Sequence, residues 1–273
     1  MRRLKDSFVM GIIWIAGGIT GAILIWIVAY VVLNGITELN MEFLFGNGEE
    51  EGLVPMMIST IYIIVLALII AAPLGIMSAI YLVEYAHQGR LVRVIRFSIE
   101  CLASIPSIIY GLFGLIFFVM INKIGFSLLS GALTVSIMIL PTIIRTVEEA
   151  LKTVPNSFRE GSLGLGATKI RTIMKVVIPS SISGIVTSLI LSIGRIIGET
   201  AAILLTAGMV ARVPTSMMDS GRTLSVHLYY LAKEGISFEK AFATATVLLT
   251  VVLILNLSTK AFAKWIEKRN GLY

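Results

Sequence analysis

Long runs of Ile, Leu, Val, Ala and Gly, separated by short polar stretches, dominate the chain. Six runs are long enough to cross a hydrocarbon layer about 30 Å thick, which takes about 20 helical residues each. They lie at residues 8–33, 55–83, 95–120, 126–147, 180–207 and 239–262. None shows the period-2 alternation of a barrel strand, so each must satisfy its backbone internally as a helix. The predicted fold class is all-α, a polytopic membrane protein with six transmembrane helices. The longest connection, about 208–238, contains HLYYLAKEG, which reads as a short amphipathic helix.

Composition agrees with this pattern. Of 273 residues, 57% are hydrophobic and 14% charged, well below the charged quarter of soluble domains. The net charge of +6 does not imply nucleic acid, because the cations form no single basic face. They follow topology instead. With the N-terminus inside, sixteen of the twenty-two Lys and Arg fall on the cytoplasmic side, including Arg2, Arg3, Lys5, Arg90, Arg93, Arg96 and six from Arg145 to Lys175. The outer side holds Lys123, Arg212, Arg222, Lys233 and Lys240 with the acids Glu38, Glu42, Glu49, Glu50 and Glu51. Both termini are therefore expected in the cytoplasm. The first run is too long for a signal-peptide core and lacks a small-x-small cleavage site, so it reads as a retained anchor. Cys101 has no partner for an internal disulfide and reads as packing, and His227 reads as a surface residue of the outer loop. No metal, cofactor or nucleotide motif is expected, so the chain needs an external source of energy.

The most polar stretch, EGSLGLGATKIRTIMKVVIP at 160–179, lies between the fourth and fifth spans. Pro155 suits the first turn of a helix through Arg159 and Glu160, and the glycines favour a break near Gly166. Thr168 can cap a second helix whose Ile170, Ile173, Met174 and Val177 recur at i, i+3, i+4 and i+7. Pro179 is expected to stop it. The prediction is a helix–turn–helix along the cytoplasmic membrane surface, whose plainest reading is an interfacial connector.

The spacing Glu160, two small residues, three residues, Gly166, nine residues, then Val176-x-Ile178-Pro179 resembles the EAA loop of ABC-importer permeases. Gly161 and Ser162 stand where that pattern has alanines, and Val176 and Ile178 where it has Ile and Leu. The resemblance implies that Glu160, Gly161, Ser162, Gly166, Ala167 and Pro179 belong to a handle for a separate ATPase. SIPSIIYGLFGL at 104–115, the stretch 139–169 and GRIIGETAAILLTAG at 194–208 are similar to the phosphate-importer permeases of the PstA and PstC families, the last more to PstA. That similarity implies three parts, namely an anchor helix with an external loop at 1–54, a permease domain at 55–262 and a cytoplasmic tail at 263–273. It also implies phosphate as substrate and lipid around the spans. The implied partners are a PstC-like second permease, two PstB-like ATPases and a PstS-like external binding protein.

Two charges fall inside the fifth span. Arg195 and Glu199, at i and i+4, are expected on one helical face, either as an intrahelical ion pair or lining an anion path. Arginine's planar fork matches phosphate oxygens and stays charged, while a carboxylate can accept the proton of hydrogenphosphate and repel sulfate. Gly194, Gly198 and Thr200 are expected to allow close helix packing. Glu100 reads as an acid at a helix N-terminus. Pro73, Pro106 and Pro141 interrupt spans, and Ser104, Ser107 and Tyr110 either line the path or bond within their own helix. A molybdate or sulfate permease, a stand-alone secondary transporter and a membrane enzyme are the competing readings. The last two lack convincing inverted repeats and reactive clusters respectively.

Overall fold

The computed structural model describes residues 2–46, 52–87 and 89–269, and the outer acids Glu49, Glu50 and Glu51 lie outside the described residues. Every regular element described is helical. In chain order these are α1 (Arg2–Gly35), α2 (Met41–Phe45), α3 (Val54–Ile80, continuing as a π-helical turn Tyr81–Tyr85) and α4 (Arg90–Ser104). Then come α5 (Ser107–Gly114, continuing as a π-helical turn to Ile121), α6 (Leu128–Lys152), α7 (Asn156–Gly164) and α8 (Lys169–Thr172). A π-helical turn Ile173–Val177 joins α8 to α9 (Ile178–Ser180), followed by α10 (Ile182–Ile197), α11 (Ala201–Thr206), α12 (Leu224–Lys233) and α13 (Phe238–Arg269).

Four stretches can each cross a membrane: Met10–Glu38, Val54–Tyr85, Leu128–Lys152 and Phe238–Phe262. They match the first, second, fourth and sixth predicted spans. The third span is bent by 96° between α4 and the α5 segment. Pro73 and Pro141 stay inside continuous helices, whereas Pro106 ends one. At that break Ile105 takes the extended conformation that a following proline favours.

The fifth span is not the single helix expected over 180–207. The Lys169–Ser180 segment meets α10 at 65°, and α10 ends before a separate α11. Nor does Pro179 stop its helix. The chain continues helically to Ser180 and turns at Ser181, whose N–H reaches the carbonyls of Val177 and Ile178, each at 3.1 Å. The preceding π-helical turn is wider than an α turn and gives the proline ring room beside the carbonyl it would otherwise strike.

The centre of the molecule is the α3–α6 pair. On α3, Ala67, Ala71, Gly75 and Ala79 recur every four residues and all are buried. This small-residue row lets the two backbones approach where lipid provides no hydrophobic drive for association. A Cβ at Gly75 would lie 3.0 Å from the Ile143 Cβ, and the Ser136 hydroxyl on α6 donates to the Ala67 carbonyl at 3.2 Å. Helix α10 packs against α6 as well, and α5 packs against α11. Helix α1 exposes Trp14, Ile15, Ile25 and Trp26 and touches the rest through its end, where Gly35 packs on Phe242 and Thr246 of α13.

On the cytoplasmic side of the expected topology, α4 and α6 are joined by ion pairs. Glu148 receives Arg96 at 2.7 Å and Lys152 at 3.0 Å, and Arg145 lies 3.7 Å from Glu100. Glu100 therefore sits near the C-terminal end of α4, not at a helix N-terminus, because α4 begins at Arg90 rather than Ile95. Cys101 beside it is exposed, not packed.

The α5–α11 contact depends on glycine. A Cβ at Gly111 would come within 2.8 Å of the Ala202 Cα, and one at Gly114 would strike Thr134 and Thr206. Gly114→Val should destabilise the purified protein by about 1–3 kcal/mol through overpacking. Gly161→Ala, inside α7 with nothing within 4 Å of a new Cβ, should instead be neutral or raise stability by up to about 1 kcal/mol. Thermal unfolding of both variants in detergent checks the contrast.

Candidate functional site

Two helix breaks lie between segments that all pack on α6. One is Ile105–Pro106 between α4 and α5, and the other is Gly198–Thr200 between α10 and α11. Thr142 of α6 marks their depth, at about 1.5 Å of rise per residue some 21 Å from Leu128 and 15 Å from Lys152. Backbone polar groups freed at such breaks need partners in place of water. Tyr110 supplies one by donating its hydroxyl across the first break to the Leu102 carbonyl at 2.7 Å. Ser104 bonds within its own helix, to the Cys101 carbonyl at 2.8 Å.

At the second break Glu199 does the same work. Its carboxylate accepts from the Ala202 N–H at 3.0 Å, capping α11, and its carbonyl accepts from the Ser225 hydroxyl at 2.7 Å. The residue is 8% exposed. Arg195 belongs to the last turn of α10, where its Nη1 lies 3.4 Å from the Thr142 hydroxyl. The two residues expected on one helical face are thus on different segments, because the helix ends between them. Among the described residues no carboxylate lies within ion-pair distance of Arg195, so the intrahelical ion pair is not formed.

The glycines around Arg195 also differ from expectation. A Cβ at Gly194 would meet nothing within 4 Å, and one at Gly198 only the Gly194 carbonyl at 3.7 Å. The close helix contacts are made by Gly111, Gly114 and Gly75 instead. Arg195 therefore stands beside an open strip of α10, half-buried, with a hydroxyl from Thr142 next to it. An anion approaching along that strip would meet a fixed positive charge and one hydroxyl. Thr142 was not singled out in the sequence. Its signal was its place directly after Pro141, on the helix that faces both breaks.

The helix–turn–helix exists as predicted. Gly166 ends the α7 arm with φ +83°, a left-handed conformation that disfavours any side chain. Thr168 caps α8 by accepting from the Arg171 N–H at 3.3 Å, while Pro155 precedes the first turn of α7 instead of lying in it. Ser162 and Thr172 hydroxyls lie 2.9 Å apart and fasten the arms together. Glu160, Gly161 and Gly166 are exposed, and Ser162, Ala167 and Pro179 are half-buried. The expected apolar face is split. Ile173 and Val177 are buried with Thr172, whereas Ile170 and Met174 point outward, because the π-helical turn shifts the register. With Leu165 at 92% exposure, and Phe158 and Leu163 also exposed, the tip is an apolar knob facing away from the bundle.

A folded layer covers the opposite end. The 208–223 connection caps the start of α6, where the Leu128 and Leu129 N–H groups donate to the Asp219 and Met217 carbonyls, each at 2.9 Å. Hydrogen bonds from Thr215 and Ser216 hold the exposed Asp219 carboxyl below its usual range. Arg222 is buried, donates to the Met209 carbonyl at 2.9 Å, lies 3.2 Å from the His227 Nδ1 and stacks 4.4 Å from the Tyr230 ring. His227 is buried too, not a surface residue. Burial, with the charges of Arg222 and Lys240, lowers its pKa from 6.5 to about 4.

With the geometry in place, comparison with known proteins is direct. The sequence pattern of the family described as binding-protein-dependent transport system inner membrane component matches residues 71–271. The chain belongs to this family. It is a multi-pass membrane permease subunit of a transport system. Its relatives include the probable ABC transporter permease protein YqgI of Bacillus subtilis, 31% identical over 98% of both chains. The phosphate transport system permease protein PstA of Pasteurella multocida is 32% identical over 96% of this chain and 95% of its own. Among solved structures, a chain of a bacterial alginate ABC transporter aligns over 94% of each chain with a TM-score of 0.64 at 15% identity. A MetNI methionine transporter chain aligns over 79% of this chain and 94% of its own, with a TM-score of 0.61 at 18% identity. At those identities the solved structures establish the fold.

The buried His227 gives the outer layer a pH signature. It is neutral in the fold, whereas the unfolded chain takes up a proton below about pH 6.5. Stability should thus be complete above pH 6.5 and fall by roughly 3 kcal/mol as the pH drops from 6.5 towards 4. Thermal melts across that window should show the loss in the wild type and a flatter profile in His227→Gln.

Proposed function

We propose that the chain is the PstA-type permease of an ATP-driven phosphate importer. Relatives named for phosphate transport and similar over nearly the whole chain support phosphate over molybdate or sulfate. The observation that carries the reading is Arg195, a half-buried guanidinium within a predicted span, with no carboxylate in ion-pair distance among the described residues and an open strip next to it. It attracts the anion, and the Thr142 hydroxyl lies beside it. Glu199, held by the Ala202 N–H, shapes the break beside the path.

The chain works with a second, PstC-like permease whose facing surface completes the path. Two PstB-like ATPases dock on the cytoplasmic loops, one of them against Glu160, Gly161, Ser162, Gly166, Ala167 and Pro179 of this chain. A PstS-like protein delivers phosphate outside. The exposed apolar knob of Phe158, Leu163, Leu165, Ile170 and Met174 supports the docking role, since such a patch calls for a protein partner or a membrane. The cation distribution supports cytoplasmic termini.

Vesicles containing this chain, its partner permease, the ATPase and the binding protein test the reading by labelled phosphate uptake. At equal amounts of assembled complex, Arg195→Gln should lower uptake at least about tenfold, equivalent to roughly 1.4 kcal/mol or more. Glu160→Lys should abolish ATP-dependent uptake while leaving the helices folded. Undiminished uptake by Arg195→Gln would remove the anion path, and uptake with no ATPase present would remove the importer reading.

A further inference from the structure

The coupling loop is covalently attached at two bends. At one end Thr153–Pro155 separates α6 from α7, and at the other Ser181 turns the chain by 65° into α10. A loop held only at these two points would flex there when pushed, and α3, the other half of the central pair, would receive no direct push.

Two side chains close that gap. Arg159, on the first arm, reaches Glu84 with Nη2 at 2.7 Å and Nε at 3.0 Å. It also donates to the Val154 carbonyl at 2.7 Å and the Leu151 carbonyl at 3.0 Å. One guanidinium thereby ties α7, the Leu151 carbonyl of α6, the Val154 carbonyl just after it and the end of α3, a task suited to its rigid fork and not to a lysine. The pair is enclosed, with side-chain exposures of 16% for Arg159 and 8% for Glu84. On the second arm, Lys169 sets its Nζ 4.7 Å from the centre of the Tyr85 ring. Glu84 and Tyr85 are neighbours in the π-helical turn that ends α3. Each arm thus grips the same turn, and the Ser162–Thr172 contact keeps the arms together.

We propose that the π-helical end of α3 is a transmission joint, with Arg159 and Glu84 as the positioning residues that carry displacement of the loop into α3. This rests on the reading of the loop as a motor handle. The joint makes α3 and α6 move with the handle as one body, and α6 carries Thr142 beside Arg195. Both partners are held at fixed length inside the protein, so the link transmits compression and tension alike. A surface pair, free to open, would do neither.

The test uses the complete transporter in vesicles, with phosphate uptake and ATP hydrolysis measured on the same sample. Glu84→Gln, Arg159→Gln and the double variant are compared at equal amounts of assembled complex. The expected result is a fall of about tenfold in phosphate taken up per ATP hydrolysed in each single variant, with no further fall in the double, as for two residues acting as one unit. An unchanged ratio, with uptake and hydrolysis falling together, would reduce the pair to a fold-stabilising contact and overturn the proposal. So would losses that multiply in the double variant. Should the glutamine variants not assemble, Arg159→Lys and Lys169→Ala keep the Glu84 charge paired and are read the same way, with an expected fall of about threefold. Wild-type uptake in the absence of the ATPase would instead sink the motor-handle reading itself, and the joint with it.

Discussion

A hydrocarbon layer provides no hydrogen-bond partners, and every irregular stretch of this backbone must find its own. The molecule is organised around two places where that rule is tested, the breaks at Ile105–Pro106 and Gly198–Thr200. Each is closed by a side chain, one from beyond the break and one from within it. Tyr110 reaches back to the Leu102 carbonyl, and the Glu199 carboxylate turns forward to the Ala202 N–H. Ser225 completes the second closure from α12. The outer layer is therefore more than a cover, since without it the Glu199 carbonyl would be left without that partner in a buried position.

This use of Glu199 decides the electrostatics. A carboxylate engaged with the start of α11 is not free to lie against Arg195, and the helix end between them removes the geometry that would bring them together. Arg195 keeps its charge in a low-dielectric setting with a hydroxyl, not a carboxylate, as its partner. Placing a lone cation there costs at least about 2.5–3.5 kcal/mol on insertion scales. Such a cost is tolerated where the charge has a task or a wet face, and the strip at Gly194 and Gly198 leaves space beside it.

Much of this was legible in the sequence. Apolar run length placed four spans within a few residues, and the Gly166–Thr168 punctuation gave the turn of the loop between α7 and α8, because a left-handed residue and a cap are local requirements. What was not legible depended on contacts between distant residues. The i,i+4 spacing of Arg195 and Glu199 assumed a continuous helix, and nothing local in IIGETAA announces that the carboxylate caps a new helix instead. Pro73, Pro106 and Pro141 look alike in the sequence. Only Pro106 breaks its helix, at a point where Tyr110 satisfies a carbonyl. The Ala67, Ala71, Gly75 and Ala79 row was a readable signal of the central helix pair that span-finding by hydropathy passes over. His227 looked like a surface residue because the topology places it outside the membrane, yet it is buried with Arg222 against its Nδ1.

The same geometry limits how tightly the path can hold an anion. A strong phosphate site needs several charged donors converging on one ion, with bidentate geometry and water excluded. On the proposed path a single guanidinium stands half-buried, with one threonine hydroxyl beside it. Glu199, in the break that follows, is engaged by the Ala202 N–H. An arrangement of this kind admits an anion and lets it go. Selection among oxyanions by a site this sparse would be weak, because discrimination by hydrogen bonding requires buried groups that are left unpaired by the wrong ligand. Strict selectivity in a system built on this chain must then come from a separate component that binds before the path opens. That division of labour is in keeping with a family whose transport depends on a binding protein.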